Sequence, residues 1–219
     1  AAPASAVALA IPPPLAGPTA LTPTGLGGAK ALAGEEGNEG ALARAYGSLV
    51  HRLLEVWPGP GADPAWAEGL ARPFVPPLDA GWVDRALAEV RAVRGAPSLA
   101  GLWGDGAGAE VALTGRWMGR PMLGVIDRLV PGPDGLLAVD IKTNRRVPAT
   151  AHAVPEGILR QLGAYAHLLA ALHPGLRIET AILWTSTARL MPVPADLAAA
   201  ALARAAAELA PLDPGQAPA

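Results

Sequence analysis

Residues 123–145, LGVIDRLVPGPDGLLAVDIKTNR, constrain this chain more than any other stretch. Two apolar runs flank the turn PGPDG, which reads as a β-hairpin. Each run carries one aspartate, Asp127 and Asp140, symmetric about the loop centre. In an antiparallel pair, opposite residues hold their Cβ atoms about 4.5–5.5 Å apart. Carboxylates that close repel, and one is driven to keep its proton. A hard divalent cation between them removes the conflict. Alternation along the strand puts Lys142 on the same face as Asp140. Two acids, a gap of metal size and an amine are the equipment for cleaving a phosphodiester.

The same mirror operation about Met118–Gly119 sets Glu110 opposite Asp127. Glu110, Asp127 and Asp140 then form an acidic row across three adjacent strands, with Lys142 beside it. A one-residue slip would move a member to the other face. Taken singly, each acid reads better as a strand-end residue facing solvent or pairing with Arg128 or Arg145. Taken together with Lys142, they point to a cation site, because carboxylates inside apolar runs are costly unless paired or metal-bound.

The rest of the chain frames this hairpin. Residues 1–38 are Ala/Pro/Gly-rich and read as a linker or a surface-hugging arm. Apolar spacing of three and four predicts helices over 40–57 and 80–94, the second after Asp79 as N-cap, with a short helix around Trp66 between them. Strands are expected at 109–116, 121–130 and 136–143, then a helix at 155–172, a strand at 178–184 and a return strand near Leu190. An Ala-rich helix spans 195–210, and 211–219 reads as a disordered tail. The order is α-β-β-β-α-β plus a terminal helix, one α/β domain over 39–210.

With 219 residues the chain can bury one good core. No charge-free apolar run of about 18 residues is present, so no membrane span is expected. Cysteine is absent, which excludes disulfides, thiolate zinc sites and iron–sulfur clusters within the chain and fits a cytoplasmic location. The net charge of −2 argues against a free-standing nucleic-acid binder, but not against a domain to which a tethered partner delivers DNA. The missing initiator Met suggests a piece of a longer protein. No G-x-S-x-G elbow, P-loop, HExxH or zinc-finger spacing occurs, so neither a serine hydrolase nor an ATP motor is indicated.

The ordered motifs resemble a family. VDIKTNR preceded by GVIDRLV resembles the core of PD-(D/E)XK nucleases, and more closely the C-terminal nuclease domain of bacterial AddA/RecB-type helicase–nucleases. GSLVHRLLE (47–55) resembles that family's N-terminal helix with its metal-binding His, here His51. ILRQLGAYAHLL (158–169) resembles its QxxxY helix, matching Gln161 and Tyr165, and LWTSTARLMPVP (183–194) resembles the end of AddA proteins. One departure is Val139, where the name-giving motif has Pro.

The resemblance implies a restriction-endonuclease-like core, a central mixed sheet flanked by helices. It implies a Mg²⁺- or Mn²⁺-dependent deoxyribonuclease, an exonuclease, that resects double-strand breaks for recombinational repair. His51, Asp127, Asp140 and the Ile141 carbonyl would ligate the metal. Lys142 would act on water or phosphate, and Glu110 would orient water or a second metal. Gln161 and Tyr165 would steady the substrate strand or the lysine, and Arg145 and Arg146 would hold DNA phosphates. The implied partners are single-stranded DNA ends from a linked helicase and an AddB-like second subunit. His152, His167 and His173 receive no role. Two alternatives stand beside this reading: a non-catalytic DNA-binding or subunit-docking module on the same fold, and a free-standing repair nuclease.

Overall fold

The computed structural model describes residues 20–29, 40–59 and 61–209. The expected tail, 211–219, lies outside them, as does most of the expected arm. A central five-stranded sheet runs β1 (Gly108–Trp117), β2 (Arg120–Pro131), β3 (Gly135–Lys142), β4 (Arg177–Trp184) and β5 (Arg189–Val193), in that spatial order. All neighbours are antiparallel except β3 and β4, which are parallel. A parallel neighbour needs a crossover, and the helix between them supplies it. The sheet is therefore mixed, as the restriction-endonuclease-like class requires.

Helices α1 (Gly40–Glu55), α2 (Pro64–Ala71) and α3 (Ala80–Gly95) cover one face, and α4 (Glu156–Leu172) and α5 (Ala195–Leu209) cover the other. Asp63 and Asp79 cap α2 and α3 by accepting the Trp66 and Trp82 backbone N–H groups. Leu49, Leu53, Val90, Val139, Ile141 and Leu183 build the first core; Met122, Ile126, Ile158, Leu162, Ile182 and Trp184 build the second. Alternate residues of β3 and β4 enter different cores. That is why LLAVDI and AILW read as continuous apolar runs, since a strand buried on both faces has no polar side.

Part of the 1–38 segment is seen against the domain. Leu21 pairs with Met122 through hydrogen bonds to Pro121 and Leu123, Leu26 is buried, and Gly157 donates its N–H to the Ala29 carbonyl at 2.8 Å. Gly157 permits this approach, because a Cβ there would stand 2.8–3.0 Å from the carbonyl oxygens of residues 27–29. Arg160, 3% exposed, donates to the Leu26 carbonyl and clasps Glu208 of α5 through two bonds. Beyond β-strand alternation, this placement rests on contacts between distant residues.

Candidate metal centre and nuclease site

The acids sit where β2 and β3 part. The β2–β3 ladder ends at Arg128↔Val139, and the same register carried one residue further sets Asp127 opposite Asp140. There the backbone pairing is replaced: the Ile141 N–H donates to Asp127 Oδ2 at 2.6 Å. On the other side, Ala109↔Arg128 and Val111↔Ile126 bracket Glu110 opposite Asp127. Glu110 interrupts that ladder with φ = 49°, a left-handed conformation that costs a non-glycine residue about 1–3 kcal/mol and recurs at functional sites.

His51 reaches this point from α1. Its Nδ1 lies 3.6 Å from Asp127 Oδ1, and its Nε2 lies 3.1 Å from the Ile141 carbonyl oxygen. Ligand atoms of His51, Glu110 and Asp127 all fall within 4.8 Å of one another. Asp140 is set apart from that trio. It is fully buried, its Oδ1 accepting from Gln161 Nε2 at 2.8 Å and its Oδ2 lying 2.6 Å from Lys142 Nζ. Gln161 also donates to the Tyr165 hydroxyl, which in turn donates to the Val125 carbonyl. Gln161 and Tyr165 thus brace Asp140 from α4, whereas the sequence leads one to expect them on the lysine or the substrate strand. Arg145 and Arg146 are exposed on the loop after β3, with the Arg145 guanidinium 5.9 Å from the centre of the Trp82 ring.

Electrostatics single out the same residues. Burial first, and the Asp140 charge second, push the Asp127 carboxyl up to about 8. Burial, then the Lys142 charge, lowers His51, so the imidazole is neutral and has a lone pair to give. Burial alone would lower Lys142, but the charge and hydrogen bond of Asp140 outweigh it and hold the ammonium above its usual range.

A hard divalent cation fits this donor set. Carboxylate oxygens suit a hard divalent cation, and a neutral imidazole can join them as a ligand. The Ile141 carbonyl, 3.1 Å from His51 Nε2, brings a further oxygen donor to the same point. A cation would let Asp127 ionise beside Asp140.

Sequence reasoning missed the other wall of the pocket. Trp103, Glu55 and Arg128 line it with His51, Glu110 and Asp127. Trp103 arrives on a 3-10 segment, Pro97–Trp103, that carries no periodic signal. Arg128 follows Asp127 directly and was visible only as a possible ion-pair partner.

Similarities to known proteins agree with the geometry. No curated protein matches this chain in sequence. A crystal structure from Eubacterium rectale, described as "Putative exonuclease", superposes at TM-score 0.51 with 13% identity, covering 78% of this chain and 65% of that one. The chain therefore spans about two thirds of that protein's length, and the likeness shows the fold. A second solved structure, SSO0001, overlaps at TM-score 0.33 and 19% identity over 59% of this chain and 62% of that one, and carries no argument. The family model of the PD-(D/E)XK nuclease superfamily matches residues 26–211. With nearly all of the described domain inside that match, the chain belongs to the PD-(D/E)XK nuclease superfamily.

Proposed function

We propose that this domain is a Mg²⁺- or Mn²⁺-dependent deoxyribonuclease whose cation is held by His51, Glu110 and Asp127, with the Ile141 carbonyl as a further oxygen donor and Asp140 as the adjoining carboxylate. The observation that carries this reading is the convergence of those three ligand groups beside the buried Asp140–Lys142 pair. When bound, the ion polarises the scissile phosphate and acidifies a coordinated water. The chain's own residues supply the rest. Asp140, braced by Gln161 and paired with Lys142, keeps the ammonium aimed at the site. Lys142, held protonated, donates hydrogen bonds to the attacking water or to the phosphoryl oxygens on which negative charge develops. His51 stays neutral and gives a lone pair rather than a proton.

The finer reading is an exonuclease domain of an AddA/RecB-type helicase–nuclease, fed single-stranded ends and paired with an AddB-like subunit. Its support is the ordered motif set and the AddA-like LWTSTARLMPVP. The near-neutral charge suits a domain that receives DNA rather than captures it. A helicase in the same reading frame would support it; a complete gene ending upstream of these residues would refute it.

Activity is tested with end-labelled single-stranded DNA in Mg²⁺, Mn²⁺ or EDTA. Wild type should cleave only with the cations, and Lys142→Ala and Asp127→Ala should each lose at least about 100-fold, the scale seen when one transition-state donor is removed. Equal cleavage by all three proteins would refute the assignment.

A further inference from the structure

Two cations beside the acidic pocket take no part in the chemistry above. Arg128 lines the pocket with His51, Glu110 and Asp127. Its Nε–H donates to the Leu102 carbonyl at 2.7 Å, which uses one of five donors. Its guanidinium carbon lies 5.1 Å from the centre of the Trp103 ring, and that of Arg94, from α3, lies 4.5 Å from the same ring. Neither arginine forms an ion pair with a carboxylate among the described residues.

This arrangement is half-finished. Both arginines are half-buried against one ring, so each is partly stripped of water beside a like charge. The indole offsets part of that cost through its cation–π contacts with both. Two like charges held together by one ring have no carboxylate paired with them among the described residues. A phosphate suits them, because its oxygens accept the paired N–H donors of a guanidinium fork. The acidic trio next door repels free anions, so the ligand must be brought in by something that the cation site also holds. A nucleic-acid strand meets that condition: with one phosphate at the metal pocket, its neighbour lies one nucleotide away.

We propose that Arg94 and Arg128, steadied by Trp103, form a phosphate subsite that grips the DNA strand next to the scissile phosphate. The subsite rests on the nuclease reading for its substrate but not for its binding. It reads backbone and not sequence, so it fixes where the strand lies without choosing a base.

The test is fluorescence anisotropy of a labelled single-stranded oligonucleotide with the whole chain, with Ca²⁺ in place of Mg²⁺, over a range of salt. Wild type, Arg94→Gln, Arg128→Gln and the double variant are compared. Each substitution should weaken binding about tenfold, the scale of one charge-assisted hydrogen-bonded contact, and should flatten the log Kd against log salt slope by about 0.7. Among the described residues Arg94 makes no hydrogen bond that its loss would strand, so Arg94→Gln decides the matter if Arg128→Gln unfolds. Unchanged affinity and slope in the arginine variants, or no binding by wild type, would overturn the subsite. The same proteins are then assayed with Mn²⁺. Arginine-dependent binding without cleavage upholds the subsite and refutes the nuclease; cleavage with an unaltered KM in the variants refutes the subsite alone.

Discussion

Asp127→Asn should make the metal-free protein more stable while destroying its response to metal. The folded chain holds this carboxyl protonated up to about 8, against an ordinary value of 3.8, because it is buried and faces Asp140. In the unfolded chain it ionises freely. The stability linked to its proton is therefore intact below the unfolded value and is lost as pH rises toward 8. The loss is about 1.4 kcal/mol per pH unit. Between pH 5 and pH 7 the wild type should thus lose about 3 kcal/mol that the Asn variant keeps. Asparagine is the neutral isostere of the protonated acid, and its amide oxygen can still accept from the Ile141 N–H. The assay is urea unfolding in EDTA at pH 5, 6 and 7, followed by the fluorescence of the six tryptophans. Mn²⁺ at 100 times its Kd should add about 2.7 kcal/mol to the wild type and nothing to the variant. Parallel stability–pH curves for the two proteins would refute the reasoning, because they would mean that Asp127 titrates alike in the folded and unfolded chains.

Three further outcomes test the frame around the site. Gly163→Ala should destabilise by about 1–3 kcal/mol, since its Cβ would stand within contact distance of the Ala198 carbonyl oxygen and 2.9 Å from Leu202 Cβ; an unchanged urea midpoint would contradict the close α4–α5 approach. Tyr165→Phe should cost about 1–2 kcal/mol by stranding the Val125 carbonyl, with Mn²⁺ affinity in calorimetry nearly unchanged; loss of metal binding would mean that Tyr165 touches the ion. Glu156 is held below the usual carboxylate range, chiefly by its hydrogen bond to Arg204. Its contribution is present above the unfolded value and lost as pH falls through the folded one. Glu156→Gln should therefore lower the thermal midpoint at pH 7 and converge with wild type in acid; equal midpoints at pH 7 would refute it.

The acidic row was legible because a hairpin is symmetric about its loop: its register follows from counting outward, and Glu110, Asp127 and Asp140 fall on the counted positions. The helices were legible because α1 and α3 each press a single apolar stripe on one core. Counting could not say where side chains turn. Asp140 is opposite Asp127 by register, yet the pull of Lys142 and Gln161 draws it away from His51 and Glu110. Nor could local pattern reveal contacts between distant segments. The parallel β3–β4 pairing, the seat of Leu21 on β2 and the Arg160–Glu208 clasp join residues far apart in the chain. Trp103 escaped for the same reason, since a 3-10 segment leaves no period to read.

His51, Glu110 and Asp127 are the proposed seat of the catalytic cation. Crystals soaked in Mn²⁺ and measured at the manganese absorption edge test it most directly. An anomalous peak should lie within bonding distance of all three residues and be absent from Asp127→Asn crystals treated alike. A peak elsewhere, or an equal peak in the variant, would contradict it.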